Sequence, residues 1–499
     1  MSNTKMAPST LVVLVALLVM MASSTRVESN PGMIWTTSNA DSGDTSYPAV
    51  DFLFEENTPI FGDTGYVTDS TAGFSDTAES FDDTAYGVDA VDSFDNAGFS
   101  DSAQGDVTGI TATPAKMAQG FVRTRGMQFV LNGKPIFVNG ANLYYLMSYA
   151  GQPSQRSIVT DILRESASVG VTVVRTWAFA DGDGNYNLQV RPGVYSEQTF
   201  RGLDFVVSEA KKFGIRLIMS FVNNYPDYGG RQQYMKWARA NGNWNAQLDD
   251  FYTDGVMRSW YKNHIRRVVT RVNTFTGVAY RDDPTIFSWE LINEPRCESD
   301  RSGNKLQRWI REMAVYVKSL DNKHMLEVGL EGFYSPIANP NSVNSQAANP
   351  ASYAANFGTD FTLNGQPKEI DFTTVHSYPD SWVPNRSEND KRAFMASWIK
   401  THINDAQYRL RKPVMFAEFG RSDRAPGYNQ RMRINDMTDM FNAVYSSAST
   451  GGPAAGTLVW QLLPRALKYS NQDGYGIVLS ENPTVASLMS KQSYRMSRL

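Results

Sequence analysis

Two glutamates, Glu294 and Glu418, stand where short apolar segments of the chain end. The first segment reads Trp-Glu-Leu-Ile-Asn-Glu-Pro at 289–295, and the second reads Pro-Val-Met-Phe-Ala-Glu-Phe-Gly at 413–420. Each pattern predicts a buried β-strand with a carboxyl group at its exit. Retaining hydrolysis of a glycosidic bond needs two such groups, because one donates a proton while the other attacks the sugar carbon from the opposite side. The pair therefore predicts this chemistry, with Glu294 and Glu418 as the catalytic residues.

Helical and strand-like patterns alternate along the chain from residue 121 onward. The predicted strands are one ending at Asn142 and those at 171–177, 215–222, 285–291, 325–329, 370–375, 414–417 and 457–461. The predicted helices cover 157–169, 200–213, 257–272, 305–320, 388–409 and 430–445. A hairpin with an Asn-Gly turn at 129–138 leads into the first strand. This alternation indicates βα units and a parallel sheet, so the predicted fold class is α/β, a (β/α)8 TIM barrel.

Polar and aromatic residues collect at the carboxyl ends of the predicted strands. They are Asn142, Arg175, Trp177, Asn223, Asn293, Glu294, His376, Tyr378, Glu418 and Trp460. Active sites of (β/α)8 barrels lie at that end, because the loops after the strands build them. We therefore expect these side chains to meet in one cleft.

Residues 289–295 and 416–420 resemble the two signatures of glycoside hydrolase family 5. Further stretches are similar to the plant-type endo-β-1,4-mannanases of that family. These stretches are Phe-Val-Asn-Gly-Ala-Asn-Leu-Tyr at 137–144, Val-Arg-Thr-Trp-Ala-Phe at 174–179, Val-Asn-Asn at 222–224, Asp-Pro-Thr-Ile-Phe-Ser-Trp at 283–289, Gly-Leu-Glu-Gly-Phe-Tyr at 329–334, His-Ser-Tyr-Pro-Asp at 376–380 and Val-Trp-Gln-Leu at 459–462. The resemblance covers residues 121 to about 490 and leaves out the acidic segment before them.

The resemblance implies roles for three charged residues. Glu294 would be the acid/base, which starts protonated and later accepts a proton, so its pKa should be raised by its surroundings. Glu418 would be the nucleophile, which must stay ionised. Arg175, on the second predicted strand, would hold the carboxylate of Glu418 in that state.

The resemblance also implies several substrate-binding residues. Asn293 matches the residue that contacts the 2-hydroxyl of the sugar, which is axial in mannose. His376 and Tyr378 match a His-x-Tyr pair that orders the nucleophile side of the site. Asn223, at the exit of the third predicted strand, belongs to the same set.

Three aromatic residues are candidates for stacking against sugar rings. Trp460 resembles the platform beneath the sugar at the cleaved bond, and Trp177 is expected to line the cleft as a second platform. Tyr225 follows two asparagines at a position where many family members carry Trp. Its smaller ring implies a weaker stacking subsite and leaves the chemistry unaffected.

Other candidate reactive residues have structural interpretations as well. Glu290 lies inside the fourth predicted strand, which favours a structural ion pair, and Glu331 follows the fifth strand, where it could line the cleft. Cys297 is the only cysteine, which excludes an intrachain disulfide. It is either a reactive thiol or a small buried residue. The four histidines are too far apart for a short metal motif, so we expect neither a metal nor a cofactor.

The net charge of −4 conceals two segments of opposite sign. Residues 27–115 hold 17 Asp and Glu with no Lys or Arg, and from residue 116 onward 45 basic residues exceed 34 acidic ones by 11. Low hydrophobicity with one-sided charge predicts a long, disordered acidic N-terminal extension. Residues 1–26 read as a signal peptide, with Lys5 ahead of the apolar run 11–21. Residues 116–499 form the predicted catalytic domain.

These segments also predict partners and location. The leader predicts secretion to the cell wall without membrane association after cleavage, and an uncleaved anchor is the alternative. The acidic segment could instead be a small carbohydrate-binding module. The basic domain carries no nucleic-acid motif, so anionic cell-wall pectin is its more natural polyanionic partner, besides β-mannan. Asn385 begins a glycosylation sequon, and the oligomeric state stays open.

The combined prediction is a secreted, endo-acting, retaining glycoside hydrolase that cleaves internal β-1,4-mannosidic bonds in mannan, glucomannan or galactomannan by double displacement. A β-1,4-glucanase and a mannan transglycosylase are alternatives on the same barrel. A non-catalytic polysaccharide-binding wall protein is an alternative of another class. The intact set of Glu294, Glu418, Arg175 and His376 argues against that last alternative.

Overall fold

The computed structural model describes residues 119–184 and 186–499. The predicted signal peptide at 1–26, the acidic segment at 27–115 and the first three residues of the predicted catalytic domain lie outside the described residues. Among the helices of the described part, none is long and apolar enough to cross a membrane.

Eight parallel strands form the central sheet, and every residue in them is buried. They are β1 Val138–Asn142, β2 Val173–Trp177, β3 Arg216–Ser220, β4 Ile286–Glu290, β5 Met325–Glu327, β6 Thr373–Ser377, β7 Val414–Phe419 and β8 Ala454–Val459. Strands covered on both faces read as apolar runs rather than as an alternating pattern. This is why most of these segments could be recognised in the sequence.

The sheet runs in the order β5-β4-β3-β2-β1-β8-β7-β6, which leaves one seam between β5 and β6. Separate hydrogen bonds join this seam. The N–H of Asp371 donates to the carbonyl of Leu326 (2.8 Å), and the N–H of His376 donates to the carbonyl of Glu331 (2.9 Å). The sheet is thus a nearly closed barrel, which confirms the predicted (β/α)8 class.

Helices fill the connections between the strands. Their bounds are Leu146–Ala150, Arg156–Ser168, Glu197–Lys212, Gly230–Ala240, Gly255–Val269, Asn304–Leu320, Phe361–Gly365, Pro379–Trp382, Glu388–Asp405, Gln430–Ser449 and Pro483–Met496. Ser196, Asp254, Ser387 and Asn429 each accept an N–H from the first turn of the helix that follows. Each such cap stabilises a helix by about 1 kcal/mol, so these polar residues fix where the helices start.

A small antiparallel sheet covers the N-terminal end of the barrel. Its strands are Arg123–Arg125, Gln128–Leu131 and Lys134–Ile136. Phe129 packs edge-on against Phe287 and Phe372, with ring centroids 5.1 Å apart in each pair. Since aromatic and aliphatic side chains fill this end, the opposite end is the one that can hold a site.

The structure departs from the sequence prediction in several connections. β6 begins at Thr373 rather than at residue 370, because Ile370 belongs to a turn in which its N–H donates to the carbonyl of Pro367. The prediction also missed the helices Gly230–Ala240 and Pro483–Met496. A scheme with one helix per strand had no place for a second helix between β3 and β4, whereas the helix after β8 is the one that such a scheme requires there.

Candidate active site

Glu294 lies four residues after β4, in a turn that is held from both sides. The N–H of Asn293 donates to the carbonyl of Val222 (2.9 Å), and the N–H of Glu294 donates to the carbonyl of Gly329 (2.8 Å). Glu294 has a φ of +53°, a left-handed conformation that costs a residue with a side chain about 1 kcal/mol. Such strain persists only where neighbouring bonds enforce it. The turn therefore holds the Glu294 carboxyl in one place at the carboxyl end of the barrel.

Arg175 in β2 uses all five of its N–H donors inside the barrel. Nη1 donates to Glu418 Oε1 (2.5 Å) and to Asn142 Oδ1 (3.1 Å). Nη2 donates to Asn293 Oδ1 (2.6 Å) and Glu290 Oε1 (2.8 Å), and Nε donates to Glu290 Oε2 (2.5 Å). A guanidinium has five donors in one rigid plane. Arg175 is therefore fixed, and it fixes one oxygen of Glu418 in turn.

Tyr378 and His376 complete the surroundings of the two candidate carboxyl groups. The hydroxyl of Tyr378 donates to Glu418 Oε2 (2.6 Å). His376 Nδ1 lies 2.5 Å from Glu294 Oε1 and 3.5 Å from Glu418 Oε2. Both oxygens of Glu418 are thus engaged, one by Arg175 and the other by Tyr378. His376 contacts both carboxyl groups and lies closer to Glu294.

Burial dominates the electrostatics of the three titratable groups. It raises the pKa of Glu294 and of Glu418 above the ordinary range. The Arg175 guanidinium and the Tyr378 hydroxyl oppose this rise at Glu418, since both favour its charged form. Burial lowers the pKa of His376, which makes the neutral imidazole its stable form. These neighbouring donors therefore offset part of the effect of burial and favour the ionised form of Glu418.

The separation of the two carboxyl groups bears on the type of displacement. One ligand atom each from Glu294, His376 and Glu418 lie within 4.8 Å of one another, the one such group among the residues that the structure describes. Carboxyl groups stand about 5–5.5 Å apart in retaining glycosidases and about 6.5–9.5 Å apart in inverting ones, which must leave room for a water. The spacing here suits retention. The same atoms could bind a metal ion, but each already has a hydrogen-bond partner in the protein.

Asn293 and Asn223 form a linked pair of amides beneath Glu294. Asn293 accepts from Arg175 through Oδ1 and donates through Nδ2 to Asn223 Oδ1 (3.0 Å). Asn223 Oδ1 also accepts the N–H of Tyr225 (3.2 Å), and its Nδ2 donates to the carbonyl of Asp227 (3.3 Å). The second Nδ2 hydrogen of Asn293 has no acceptor within the described part of the chain, whereas Asn223 is 3% exposed and its amide is bonded to protein groups. The structure therefore makes Asn223 a support for Asn293 and the Tyr225 loop.

Trp460 follows β8 and is half-buried, and one edge of its ring is hydrogen-bonded. Its Nε1 donates to Asp473 Oδ2 (2.9 Å), and its ring stacks on Tyr144 with centroids 5.4 Å apart and planes 12° apart. Tyr144 follows β1 and is also half-buried. The two rings form one aromatic surface, which could carry a sugar ring. The sequence had singled out Trp460 but not Tyr144, although Tyr144 lies two residues after a strand exit.

Trp177, expected to line the cleft as a second platform, is almost fully covered by its neighbours. Trp177 is 4% exposed. The Arg175 guanidinium carbon lies 4.8 Å from its ring centroid, and the rings of Phe179 and Tyr144 lie 5.3 and 6.0 Å away. Trp177 ends β2 inside the sheet, where neighbouring side chains cover it. Its position supports Arg175 through a cation–π contact.

Tyr225 lies beside the acid/base candidate rather than only at a distant subsite. Its hydroxyl hydrogen-bonds the carboxyl of Glu294, and its ring centroid lies 5.8 Å from the Arg296 guanidinium carbon. Arg296 binds Glu331 through two bonds of 2.7 and 2.8 Å. Glu331 is buried, and burial raises its pKa to about 7. No sequence pattern had pointed to Arg296, and Glu331 was predicted only as a residue that could line the cleft.

Two interpretations of the sequence are settled by burial and pairing. Glu290 forms the structural ion pair that its position within β4 favoured, at 2.5 Å from Arg175. Cys297 is 0% exposed, and burial raises the pKa of its thiol to about 12. A thiol that stays protonated is a poor nucleophile, so the small buried residue is the interpretation that the structure supports.

Comparisons with known proteins agree with this geometry. A family model described as GH family 5 beta-mannosidase-like matches residues 119–471. The chain is 50% identical over 384 residues to mannan endo-1,4-beta-mannosidase 5 of Solanum lycopersicum, which covers 76% of this chain and 90% of that protein. It is 50% identical over 377 residues to mannan endo-1,4-beta-mannosidase 1 of Oryza sativa subsp. japonica, with 76% and 86% covered. The crystal structure of the endo-1,4-beta-mannanase from Rhizomucor miehei matches with a TM-score of 0.64 at 32% identity, over 76% of this chain and 100% of that one.

Proposed function

Because this chain belongs to the β-mannosidase-like group of glycoside hydrolase family 5, we propose that it cleaves internal β-1,4-mannosidic bonds of mannan with retention of configuration. The observation that carries the proposal is the pair Glu294 and Glu418 at the exits of β4 and β7. Both are held by protein donors, and one carboxyl oxygen of Glu294 lies within 4.8 Å of one of Glu418. This proximity suits the close pair of a retaining enzyme rather than the wider pair of an inverting one.

In the first step, Glu418 attacks and Glu294 protonates. A Glu418 oxygen forms a bond to the anomeric carbon of the mannosyl unit while the bond to the glycosidic oxygen breaks. The electron pair of that bond goes to the departing oxygen, which takes the proton of Glu294. The products are a glycosyl ester on Glu418, an ionised Glu294 and a shortened chain with a free hydroxyl.

In the second step, water replaces Glu418. Glu294 now accepts a proton from the water, whose oxygen bonds to the anomeric carbon as the ester bond to Glu418 breaks. The enzyme returns to its starting state, with Glu294 protonated and Glu418 ionised. Two inversions at the same carbon give net retention.

The surroundings of the two glutamates suit these opposite roles. Glu418 must leave as a carboxylate in the second step, and Arg175 and Tyr378 each supply a hydrogen bond that favours the charged form. Glu294 must hold a proton at the start, which its burial favours. Glu418 is buried and Glu294 is mostly covered, so the difference in neighbouring donors separates their roles.

Two residues are proposed to recognise the sugar at the cleaved bond. The free N–H of Asn293 is directed by bonds to Arg175 and Asn223, and we assign it to the 2-hydroxyl, which is axial in mannose. The stacked ring of Trp460 is assigned to the apolar face of the same sugar. Neither residue needs a cofactor for this role.

Digestion of a panel of purified polysaccharides tests the substrate and the mode of cleavage. The panel contains linear mannan, glucomannan, galactomannan and a β-1,4-glucan, and Glu418→Gln is the matched control. We expect a mixture of manno-oligosaccharides early in the reaction on the three mannans and no products with the variant. Faster cleavage of the glucan would favour the β-1,4-glucanase. Products longer than an added oligosaccharide would show transglycosylation.

We also propose that the enzyme is secreted and acts in the cell wall. The apolar run at residues 11–21 behind Lys5 and the polysaccharide substrate support this location. The excess of 11 positive charges from residue 116 onward supports retention on anionic pectin, which the acidic residues 27–115 would weaken by competing for the same cations. On a pectate column at low salt, deletion of 27–115 should therefore tighten binding. Equal elution across a salt gradient would contradict the proposed competition.

A further inference from the structure

Two buried glutamates stand side by side behind Arg175. Glu290 in β4 and Glu327 in β5 are directly paired residues of the parallel ladder, and both are 0% exposed. Glu290 binds Arg175 through both of its oxygens. Glu327 has no part in the steps described above, and nothing in those steps explains why a second carboxyl group lies at this depth.

No positive group among the described residues is left to neutralise Glu327. The five N–H groups of Arg175 donate to Glu290, Glu418, Asn142 and Asn293. Among the described residues, Glu327 forms no salt bridge. An unpaired carboxylate in a dry interior is unstable by several kcal/mol or more and takes up a proton instead.

The hydrogen bonds of Glu327 show where that proton would lie. Its Oε2 accepts from the N–H of Gly329 and from the hydroxyl of Thr374 (3.1 Å). Its Oε1 accepts from no N–H or hydroxyl of the described residues, and the group available to it is the carboxyl of Glu290, its direct partner in the strand ladder. Two carboxyl oxygens can share a hydrogen bond only if one of them carries a proton.

We propose that Glu327 is protonated in the working enzyme and donates this proton to Glu290, as a positioning residue that acts on Glu418 through Glu290 and Arg175. The inference rests on the proposed role of Glu418 as nucleophile. With Glu327 neutral, Arg175 faces two carboxylates, Glu290 and Glu418. A third carboxylate would compete for the positive charge of the same guanidinium, so Arg175 would stabilise the ionised nucleophile less.

The titration directions of the pair agree with this assignment. Burial, followed by the neighbouring charge of Glu290, raises the pKa of Glu327 well above the ordinary range. Burial also acts to raise the pKa of Glu290, but the Arg175 guanidinium outweighs it and holds that pKa below the usual value. The other groups that face Glu327 are Arg175 itself and the uncharged Thr374 on β6. The ladder therefore pairs one neutral and one charged glutamate.

Neutron diffraction from deuterium-exchanged crystals of the whole enzyme at neutral pH tests the proton directly. We expect a deuteron on Glu327 that points to Glu290. A pair without a deuteron, or a deuteron bonded to Glu290, would overturn the proposal. This readout needs no variant and no substrate, so it stands apart from the assignment of Glu418, which an active Glu418→Ala variant would refute.

Three variants test the effect on catalysis. Glu327→Ala should lower kcat at least about tenfold, because Glu290 loses its donor. Glu327→Gln keeps a neutral donor of the same shape, so it should recover most of that loss and leave the acid limb of the pH profile within about 0.3 units of the wild type. Glu290→Gln is the matched control on the neighbouring strand. Its kcat should fall more than about a hundredfold, since this substitution removes the negative charge that pairs with Arg175. A loss in Glu327→Gln as large as in Glu290→Gln, or an acid limb moved to lower pH, would mean that Glu327 is ionised.

Discussion

His376 Nδ1 lies 1.0 Å closer to the carboxyl of Glu294 than to that of Glu418, at 2.5 Å against 3.5 Å. The sequence had assigned this histidine to the nucleophile side. Its position between the two groups, with burial holding its pKa low, makes it a neutral spacer that orients the acid/base. It can do so without adding a positive charge that would favour early loss of the Glu294 proton.

Replacing the two glutamates should separate their roles. Glu294→Ala and Glu418→Ala should each lower hydrolysis of mannan by more than about a thousandfold. Glu294→Ala should keep far more activity on aryl mannosides with very good leaving groups, because such groups depart without a proton. Added azide should revive Glu418→Ala and give the inverted product, measured by chromatography against standards. Full activity of either variant on mannan, with an unchanged melting temperature, would contradict the assignment.

Tyr378→Phe should move the acid limb of the activity profile to higher pH. The hydroxyl of Tyr378 favours the charged form of Glu418, so its removal raises the pKa of the nucleophile, which then protonates earlier as the pH falls. A hydrogen bond to a charged group contributes about 1.5–3 kcal/mol, which sets an upper bound of about one to two pH units. Tyr475→Phe is the matched control, since that hydroxyl donates to Asp380. Equal profiles for Tyr378→Phe and the control would refute the predicted shift.

Tyr225→Phe should move the alkaline limb to higher pH. The Tyr225 hydroxyl favours the ionised form of Glu294, so without it the acid/base keeps its proton to higher pH. Tyr225→Trp should shift the same limb and also tighten binding of longer manno-oligosaccharides through its larger ring. Tyr228→Phe is the control, because that hydroxyl bonds to Ser148 instead. The measurement is kcat/KM against pH. An alkaline limb that does not move in Tyr225→Phe would show that the Tyr225 hydroxyl does not affect the pKa of Glu294.

Trp460→Ala should lower turnover more than it weakens substrate binding. A platform at the cleaved bond supports mainly the distorted sugar of the transition state, so kcat should fall at least about tenfold while KM rises less than about threefold. Tyr144→Ala should act in the same direction but less strongly, because it removes only the ring on which Trp460 stacks. Steady-state kinetics on mannopentaose measure both. A rise of KM with unchanged kcat in Trp460→Ala would mean that the ring binds the ground state and the transition state equally well, which contradicts the prediction.

The sequence predicted the barrel because its strands are short apolar runs with functional residues at their exits. Glu294 and Glu418 could be placed at one end of the barrel for that reason, and so could Arg175 and His376. The burial of Trp177 could not be judged from its position, because the Tyr144 ring that packs near it comes from another strand exit and the Phe179 ring two residues on turns toward it only in the fold. A strand exit predicts which end of the barrel a side chain occupies, and packing decides whether it faces the cleft.

Contacts between residues distant in sequence could not be predicted for the same reason. Arg296 and Glu331 lie 35 residues apart and meet only because β4 and β5 are neighbours. Asp473, which holds Trp460, belongs to an irregular loop with no periodic pattern. The pairing of Glu290 with Glu327 depends on the register of two strands, and one residue of slip would have sent them to opposite faces.

The anomeric configuration of the first product tests the account most directly. Proton NMR of mannopentaose during the first minutes of cleavage reports it before mutarotation mixes the forms. One oxygen of each of the two carboxyl groups lies within 4.8 Å of the other, which suits a retaining pair, so we expect the β-anomer to form first. An initial α-anomer would mean a single displacement by water, and Glu418 would then not be the nucleophile.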